Sequence, residues 1–141
     1  MKYLANFNHP AIFWFMALSW TVLSVFVLLK PGNGTIDYEI TLSSFIENFF
    51  SLSISRKDLS EAIGHIFLFS ILTALWQRVL TMHFNRLNAL LLTICIVGVL
   101  AIGTEIGQYF VNRGSMLIDL IANFLGISLS LFWARYKFKY K

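Results

Sequence analysis

The sequence predicts an all-α membrane protein, a bundle of four transmembrane helices, and three observations lead to this fold class. Hydrophobic residues make up 57% of the 141 positions and charged residues only 13%, whereas a soluble domain has roughly half and roughly a quarter. The mean hydropathy is +0.71, and the apolar residues are gathered into long runs. Each run has about the 20 residues that a helix needs to cross hydrocarbon.

The first predicted helix spans residues 10–29 and contains no charged residue. Pro10 opens it, because proline fits the first helical turn, where its missing N–H costs nothing. The residues KPGNG, from Lys30 onward, close it. No small-residue cleavage site follows, so we expect a retained membrane anchor rather than a removed signal peptide.

Three further spanning helices are predicted over residues 59–78, 88–109 and 117–133. At the start of the second helix, Asp58 and Glu61 fit the N-cap and third helical positions of a capping box. No repeat or linker divides the chain, so we expect a single domain over all of its residues.

Between the first two helices, residues 31–58 form the only sizeable segment outside the predicted spans. Apolar side chains recur there at helical spacing, which predicts a short amphipathic helix at the membrane interface. These side chains are Leu42, Phe45, Ile46, Phe49 and Phe50.

The distribution of Lys and Arg predicts the orientation of the chain. One side of the four-span topology carries Lys2, Arg78, Arg86, Arg135, Lys137, Lys139 and Lys141, and the other carries Lys30, Arg56, Lys57 and Arg113. Because basic residues are enriched in cytoplasmic loops, the excess places both termini in the cytoplasm. The amphipathic segment and the turn that carries Arg113 then lie outside.

Composition and motifs exclude several function classes. The net charge of +4 comes from basic residues between apolar runs and at the C-terminal end, with no basic helix face, so we expect no nucleic-acid partner. The chain has no P-loop, GxSxG, CxxC or HExxH motif. The single cysteine, Cys95, lies in an apolar run and is interpreted as a small buried apolar side chain.

Polar side chains interrupt the apolar spans at one depth. In the predicted topology, the start of helix two, the end of helix three and the start of helix four all lie near the outer surface. The polar residues at these positions are Glu61, His65, Glu105, Gln108, Arg113, Asp119 and Asn123. Because a charge facing lipid costs about 2.5–3.5 kcal/mol at the bilayer centre, these side chains should turn inward and form a polar pocket that opens outward.

Several interpretations of this pocket stay open. It could be a scaffold in which Arg113 neutralises Glu105 or Asp119, a binding site for a polar or anionic headgroup, a conduit, or an enzyme active site. In a binding site, Arg113 would contact phosphate or carboxylate, His65 and Gln108 would donate hydrogen bonds, and Asn123 would brace Asp119. In an enzyme, Glu105 or Asp119 would be the general base and His65 the acid.

We expect neither a metal nor another cofactor. The carboxylates Glu61, Glu105 and Asp119 with His65 make an unordered ligand set, and the nearby Arg113 disfavours a cation.

Gly103 and Gly107 form a GxxxG motif that would permit close packing, either within the chain or with a second copy in a homodimer.

The polar motif resembles the VanZ-like family of small bacterial membrane proteins. The resemblance covers residues 58–130 and rests on Glu105-x-x-Gln108, Arg113 and Asp119-x-x-x-Asn123-x-x-Gly126, with His65 earlier in the chain. Family members often carry an Asp-Lys pair shortly before the histidine. Here the pair is Glu61-Ala62, so a ligand contact made by that lysine would be missing.

The resemblance implies a multi-pass protein of the bacterial cytoplasmic membrane with a role in the cell envelope. The family takes its name from a protein associated with resistance to the lipoglycopeptide teicoplanin, which acts on cell-wall precursors. Membrane lipids, a lipid-linked cell-wall precursor or a glycopeptide are therefore the implied partners. The enzyme alternative would act on a lipid-linked cell-wall or glycan substrate.

Overall fold

The computed structural model describes residues 10–30, 56–111 and 117–139. These residues form four α-helices, each long and apolar enough to cross a membrane. The helices are α1 (Pro10–Leu28), α2 (Arg56–Leu80), α3 (Arg86–Phe110) and α4 (Leu117–Lys139). The predicted all-α fold class with four candidate spans is confirmed, and the described part of the chain contains no strand. The chain thus has the architecture of a multi-pass membrane protein.

The helix ends differ from the predicted ones by a few residues. Helix α2 begins at Arg56, so Asp58 lies inside the first turn instead of at the N-cap, and the predicted capping box is wrong. Helix α4 continues to Lys139, because its last residues lack any Gly or Pro to stop it. The predicted amphipathic helix rests on Leu42 to Phe50, which lie outside the described residues. The expectation that Cys95 is buried is wrong, because its side chain is on an exposed face of α3.

Helix α2 packs against all three of the other helices, and its interface with α4 is the most extensive. A glycine makes this close approach possible: a Cβ atom added at Gly126 of α4 would lie 2.5 Å from the backbone oxygen of Ile66 on α2. The Ser70 hydroxyl donates a hydrogen bond across the same contact to the Gly126 carbonyl, at 3.1 Å. Small residues at such crossings are typical of membrane helix pairs.

Helix α1 packs against α2 through contacts that involve tryptophan indole groups. The Trp20 Nε1–H donates to the Leu68 carbonyl at 3.2 Å, and the Trp76 Nε1–H of α2 donates to the Thr21 hydroxyl at 3.1 Å. The rings of Trp14 and Trp76 meet edge to face, with centroids 5.7 Å apart. Most of the remaining surface of α1 is exposed and apolar, as suits contact with lipid.

Several threonine hydroxyls inside the spans are satisfied within their own helices. The hydroxyls of Thr73, Thr93 and Thr104 each donate to a carbonyl one turn earlier in the same helix, at 2.6, 2.7 and 2.9 Å. Such back-bonding satisfies the hydroxyl without a partner on another helix. Buried polar side chains that form hydrogen bonds between helices are therefore distinct from these threonines.

The two ends of the bundle differ in character. We call one end the turn end, because residues 81–85 connect α2 to α3 there, and the other end the cluster end. Helices α2 and α4 begin at the cluster end and α3 finishes there, as the alternating directions of successive spans require. All six described candidate residues lie on helix turns near the cluster end.

Candidate functional site

The structure buries five of the predicted site residues between α2, α3 and α4. Their exposed fractions are 3% for His65, 2% for Glu105, 1% for Gln108, 2% for Asp119 and 0% for Asn123. Each of the three helices contributes at least one residue, so the spacing argument that turned these side chains inward is correct for these five. We refer to them as the polar cluster.

A chain of hydrogen bonds crosses all three helices at the centre of the polar cluster. His65 Nδ1 lies 2.8 Å from Asn123 Oδ1, and Asn123 Nδ2 donates to Glu105 Oε1 at 2.9 Å. The distance from His65 Nδ1 to Glu105 Oε1 is 3.6 Å, which is too long for a hydrogen bond. The Asn123 amide therefore links the imidazole to the carboxylate.

This chain of bonds assigns the proton on His65. An amide oxygen can only accept a hydrogen bond, so Nδ1 of His65 must carry the proton that it donates to Asn123. In the neutral ring, Nε2 then holds the lone pair and is the proton-accepting atom. His65 thus donates inside the protein and, when neutral, offers an acceptor to a ligand.

Gln108 lies one turn beyond Glu105 on α3 and is almost completely buried. Among the described residues its Nε2 has no hydrogen-bonding partner. A buried amide donor without an acceptor costs about 1–3 kcal/mol. This donor lies on the same helix as Glu105, one turn away, and an oxygen-bearing ligand would satisfy it.

The remaining predicted residues differ in their surroundings. Glu61 lies one turn before His65 on α2 and is only partly buried, so it belongs to the rim of the polar cluster. Asp119 lies in the first turn of α4, where the positive end of the helix dipole favours a carboxylate. Arg113 lies outside the described residues, and its predicted contacts with Glu105, Asp119 or a ligand stay predictions.

Two features differ from the sequence-based expectations. Asn123 was expected to brace Asp119, but its amide is hydrogen-bonded to His65 and Glu105, because Asn123 points across to α2 and α3. The side chains of the polar cluster also pack closely, and none of them lines either of two cavities, of about 1070 and 530 Å³, formed by other described residues.

The described residues contain no group of three His, Cys, Asp or Glu side chains placed to hold a metal ion. The side chains of the polar cluster offer hydrogen-bond donors and acceptors. Its donors and acceptors are the imidazole, two amides and two carboxylates.

The GxxxG motif makes one close contact within the chain. A Cβ atom added at Gly107 would lie 2.6 Å from Cδ2 of Leu29, which follows α1. Around Gly103 no heavy atom of the described residues lies within 4 Å of such a Cβ. The contact through Gly107 is thus intramolecular.

Sequence reasoning overlooked Gln77, a second buried amide near the turn end of α2. Its side chain is 8% exposed, and among the described residues its Oε1 has no hydrogen-bonding partner. The signal was present in the sequence, because Gln77 is an uncharged polar residue inside an apolar span.

Comparisons of this chain with models of protein families, with curated proteins and with solved structures found no match.

Proposed function

We propose that this protein binds the polar headgroup of a lipid-linked molecule through the polar cluster. The observation that carries the proposal is the buried Gln108 amide, whose Nε2 has no acceptor among the described residues. Gln108 lies one turn from Glu105 on α3, and Glu105 is hydrogen-bonded to Asn123. A phosphate or sugar oxygen would accept from Gln108, and a hydroxyl group would donate to His65 Nε2.

The energetic cost of the polar cluster supports a binding role over a purely structural one. Hydrogen bonds between membrane helices contribute only about 0.6 kcal/mol on average, whereas ionisable groups inside a membrane are costly. The two carboxylates, Glu105 and Asp119, are both 2% exposed. A purely structural role would gain little stability from burying the two carboxylates. A function that uses them explains their presence better.

The location of the protein forms part of the same proposal. We place it in the bacterial cytoplasmic membrane with both termini in the cytoplasm, so that the polar cluster faces the outer leaflet. The excess of basic residues on the side of the turn end supports this orientation. The motif that resembles the VanZ-like family supports the bacterial envelope and a link to lipoglycopeptide resistance.

Binding of a lipid-linked phosphate by the purified protein tests the proposal. The full chain is reconstituted in nanodiscs, undecaprenyl phosphate is added, and bound lipid is measured by native mass spectrometry. We expect saturable binding that falls at least fivefold in Gln108→Leu, because leucine fills the site without a donor. The matched control is Gln77→Leu, a buried glutamine near the opposite end, which should bind as the native chain does.

Two results would contradict the proposal. The first is the absence of saturable binding of undecaprenyl phosphate to the native protein. The second is a loss of binding in Gln77→Leu with normal binding in Gln108→Leu, which would place the lipid at the turn end.

The second candidate function is that of an enzyme that acts on a lipid-linked cell-wall or glycan substrate. The favouring observation is the hydrogen-bonded series from His65 through Asn123 to Glu105, because it fixes the imidazole with Nε2 as a potential base. Release of product from a labelled polyprenyl-linked substrate would distinguish an enzyme from a binding protein. Saturable binding without turnover would favour the binding protein.

A further inference from the structure

A cavity of about 1070 Å³ lies at the turn end, between the end of α2, the start of α3 and the end of α4. None of its lining residues belongs to the polar cluster. Arg86 lines the cavity and Glu105 lies nineteen positions later on α3, a separation of about 28 Å at the helical rise. The cavity is thus separated from the polar cluster by most of the membrane thickness.

The charge around this cavity has one sign. Arg86 and Arg135 both line it, and the sequence carries no Asp or Glu in residues 66–104 or 120–141. The carboxylate side chains of the chain are therefore confined to the cluster end and the segment before α2. An anionic headgroup would be attracted to the positive charge of the two arginines.

The walls of the cavity are mixed in character. Gln77 and Thr81 supply polar groups, and Leu90, Ile94 and Leu131 are among the apolar residues that line it. Gln77 is buried, and its Oε1 has no hydrogen-bonding donor among the described residues. The cavity thus combines cationic groups, an available acceptor and an apolar interior.

This combination matches one class of ligand. A phospholipid with a phosphate and a free hydroxyl group would place the phosphate near the arginines, the hydroxyl near Gln77 Oε1 and an acyl chain along the apolar wall. The volume lies slightly above the range of roughly 300–1,000 Å³ typical of small-molecule pockets. It is therefore large enough for a headgroup and part of an acyl chain.

We propose that the turn-end cavity is a binding site for an anionic glycerophospholipid with a hydroxyl-bearing headgroup, of which phosphatidylglycerol is the simplest. The site is independent of the polar cluster. It binds one lipid molecule between α2, α3 and α4 through charge and shape complementarity. This contact is more specific than the general attraction of basic residues to an anionic membrane surface.

The experiment compares two lipids on the full chain. The protein is delipidated in mild detergent, titrated with phosphatidylglycerol or phosphatidylcholine of the same acyl chains, and analysed by native mass spectrometry. Phosphatidylglycerol should bind with at least tenfold higher affinity, because phosphatidylcholine has no net charge and no hydroxyl donor. The double variant Arg86→Gln/Arg135→Gln should lose at least tenfold in that affinity.

The matched control is Arg78→Gln, which removes a positive charge at the same end. Arg78 lies over the Phe13 ring, 5.3 Å from its centroid, and does not line the cavity. Its loss should change binding less than twofold. A second variant, Ala134→Trp, keeps both arginines but fills the cavity, and it should also abolish selective binding.

Three results would overturn the proposal. These are equal affinity for the two lipids, equal losses in Arg78→Gln and the double variant, and unchanged binding in Ala134→Trp. Because Gln108→Leu leaves the turn end intact, it should bind phosphatidylglycerol normally. Failure of the headgroup proposal for the polar cluster would therefore leave this one standing.

Discussion

His65 and Asn123 are hydrogen-bonded at 2.8 Å across the α2–α4 interface, although 58 positions separate them in the chain. The same amide also binds Glu105 of α3. One side chain thus joins three helices, and its removal should affect both the stability of the bundle and the geometry of the polar cluster.

We expect Asn123→Leu to lower the free energy of unfolding by about 1–3 kcal/mol, because it leaves buried polar atoms of His65 and Glu105 without the amide. Thermal unfolding in detergent measures the loss. Asn88→Leu is the control, since Asn88 is an exposed asparagine of α3 and should change stability much less. Equal effects of the two substitutions would show that the amide at Asn123 contributes nothing specific.

Glu105→Gln should separate stability from function. The amide keeps an oxygen that can accept from Asn123, so we expect a loss of only about 1 kcal/mol. Binding of undecaprenyl phosphate should nevertheless fall at least tenfold, because an amide holds Asn123, and through it the imidazole of His65, less strongly than a carboxylate does. Unfolding temperature and lipid binding are measured on the same preparation.

The double substitution Glu105→Gln/Arg113→Gln completes this test. In the scaffold interpretation of the sequence, Arg113 neutralises Glu105 or Asp119. If the double variant recovered both stability and lipid binding, the two residues would serve structure alone and the binding proposal would fail.

Three glycine substitutions form a graded series. Gly126→Ala should cost the most, because the new Cβ would lie 2.5 Å from the rigid backbone oxygen of Ile66 and would force α2 and α4 apart. Gly107→Ala should cost less, since the obstructing group is the flexible end of Leu29. Gly103→Ala meets no described neighbour and should be neutral or slightly stabilising, because alanine favours helix by about 1 kcal/mol.

Thermal unfolding temperatures in one detergent rank the three variants. A large loss in Gly103→Ala would indicate that this face contacts a second copy of the chain. Gel filtration with light scattering would then detect the change in oligomeric state.

The orientation is tested with an impermeant thiol reagent in intact cells. In a Cys95→Ala background, a cysteine at Asn33 should react from outside, and a cysteine at Arg86 should react only after the membrane is permeabilised. The opposite pattern would place the polar cluster on the cytoplasmic side and exclude an outer-leaflet ligand.

Much of the architecture can be predicted from the sequence, because each span must be helical, mostly apolar and long enough to cross the hydrocarbon core of the membrane. The predicted helix over residues 88–109 lies within α3, Arg86–Phe110, and the convergence of His65, Glu105 and Asn123 followed from their depth and helical spacing. The partner of Asn123 could not be predicted, because it depends on the rotation of α4 against α2. That rotation is set by Gly126 and its contact with Ile66.

The turn-end cavity was also beyond sequence reasoning. Hydropathy identifies α2, α3 and α4 separately, but a cavity arises from how far their ends diverge. Arg86 and Arg135 were assigned to the same side of the membrane from the sequence. Their common cavity with Gln77 became visible only once the three helix ends were placed.

The order of synthesis gives the His65–Asn123 bond a further consequence. Helix α2 is the least apolar of the four described spans, and it leaves the ribosome 58 residues before the amide that binds its histidine. At roughly 5–20 residues per second, this interval lasts about 3 to 12 seconds. During that time His65 lacks its hydrogen bond to Asn123. The insertion of α4 supplies this bond and thereby stabilises α2 in the bilayer. Chains truncated before α4 should consequently be degraded faster than chains that end after it.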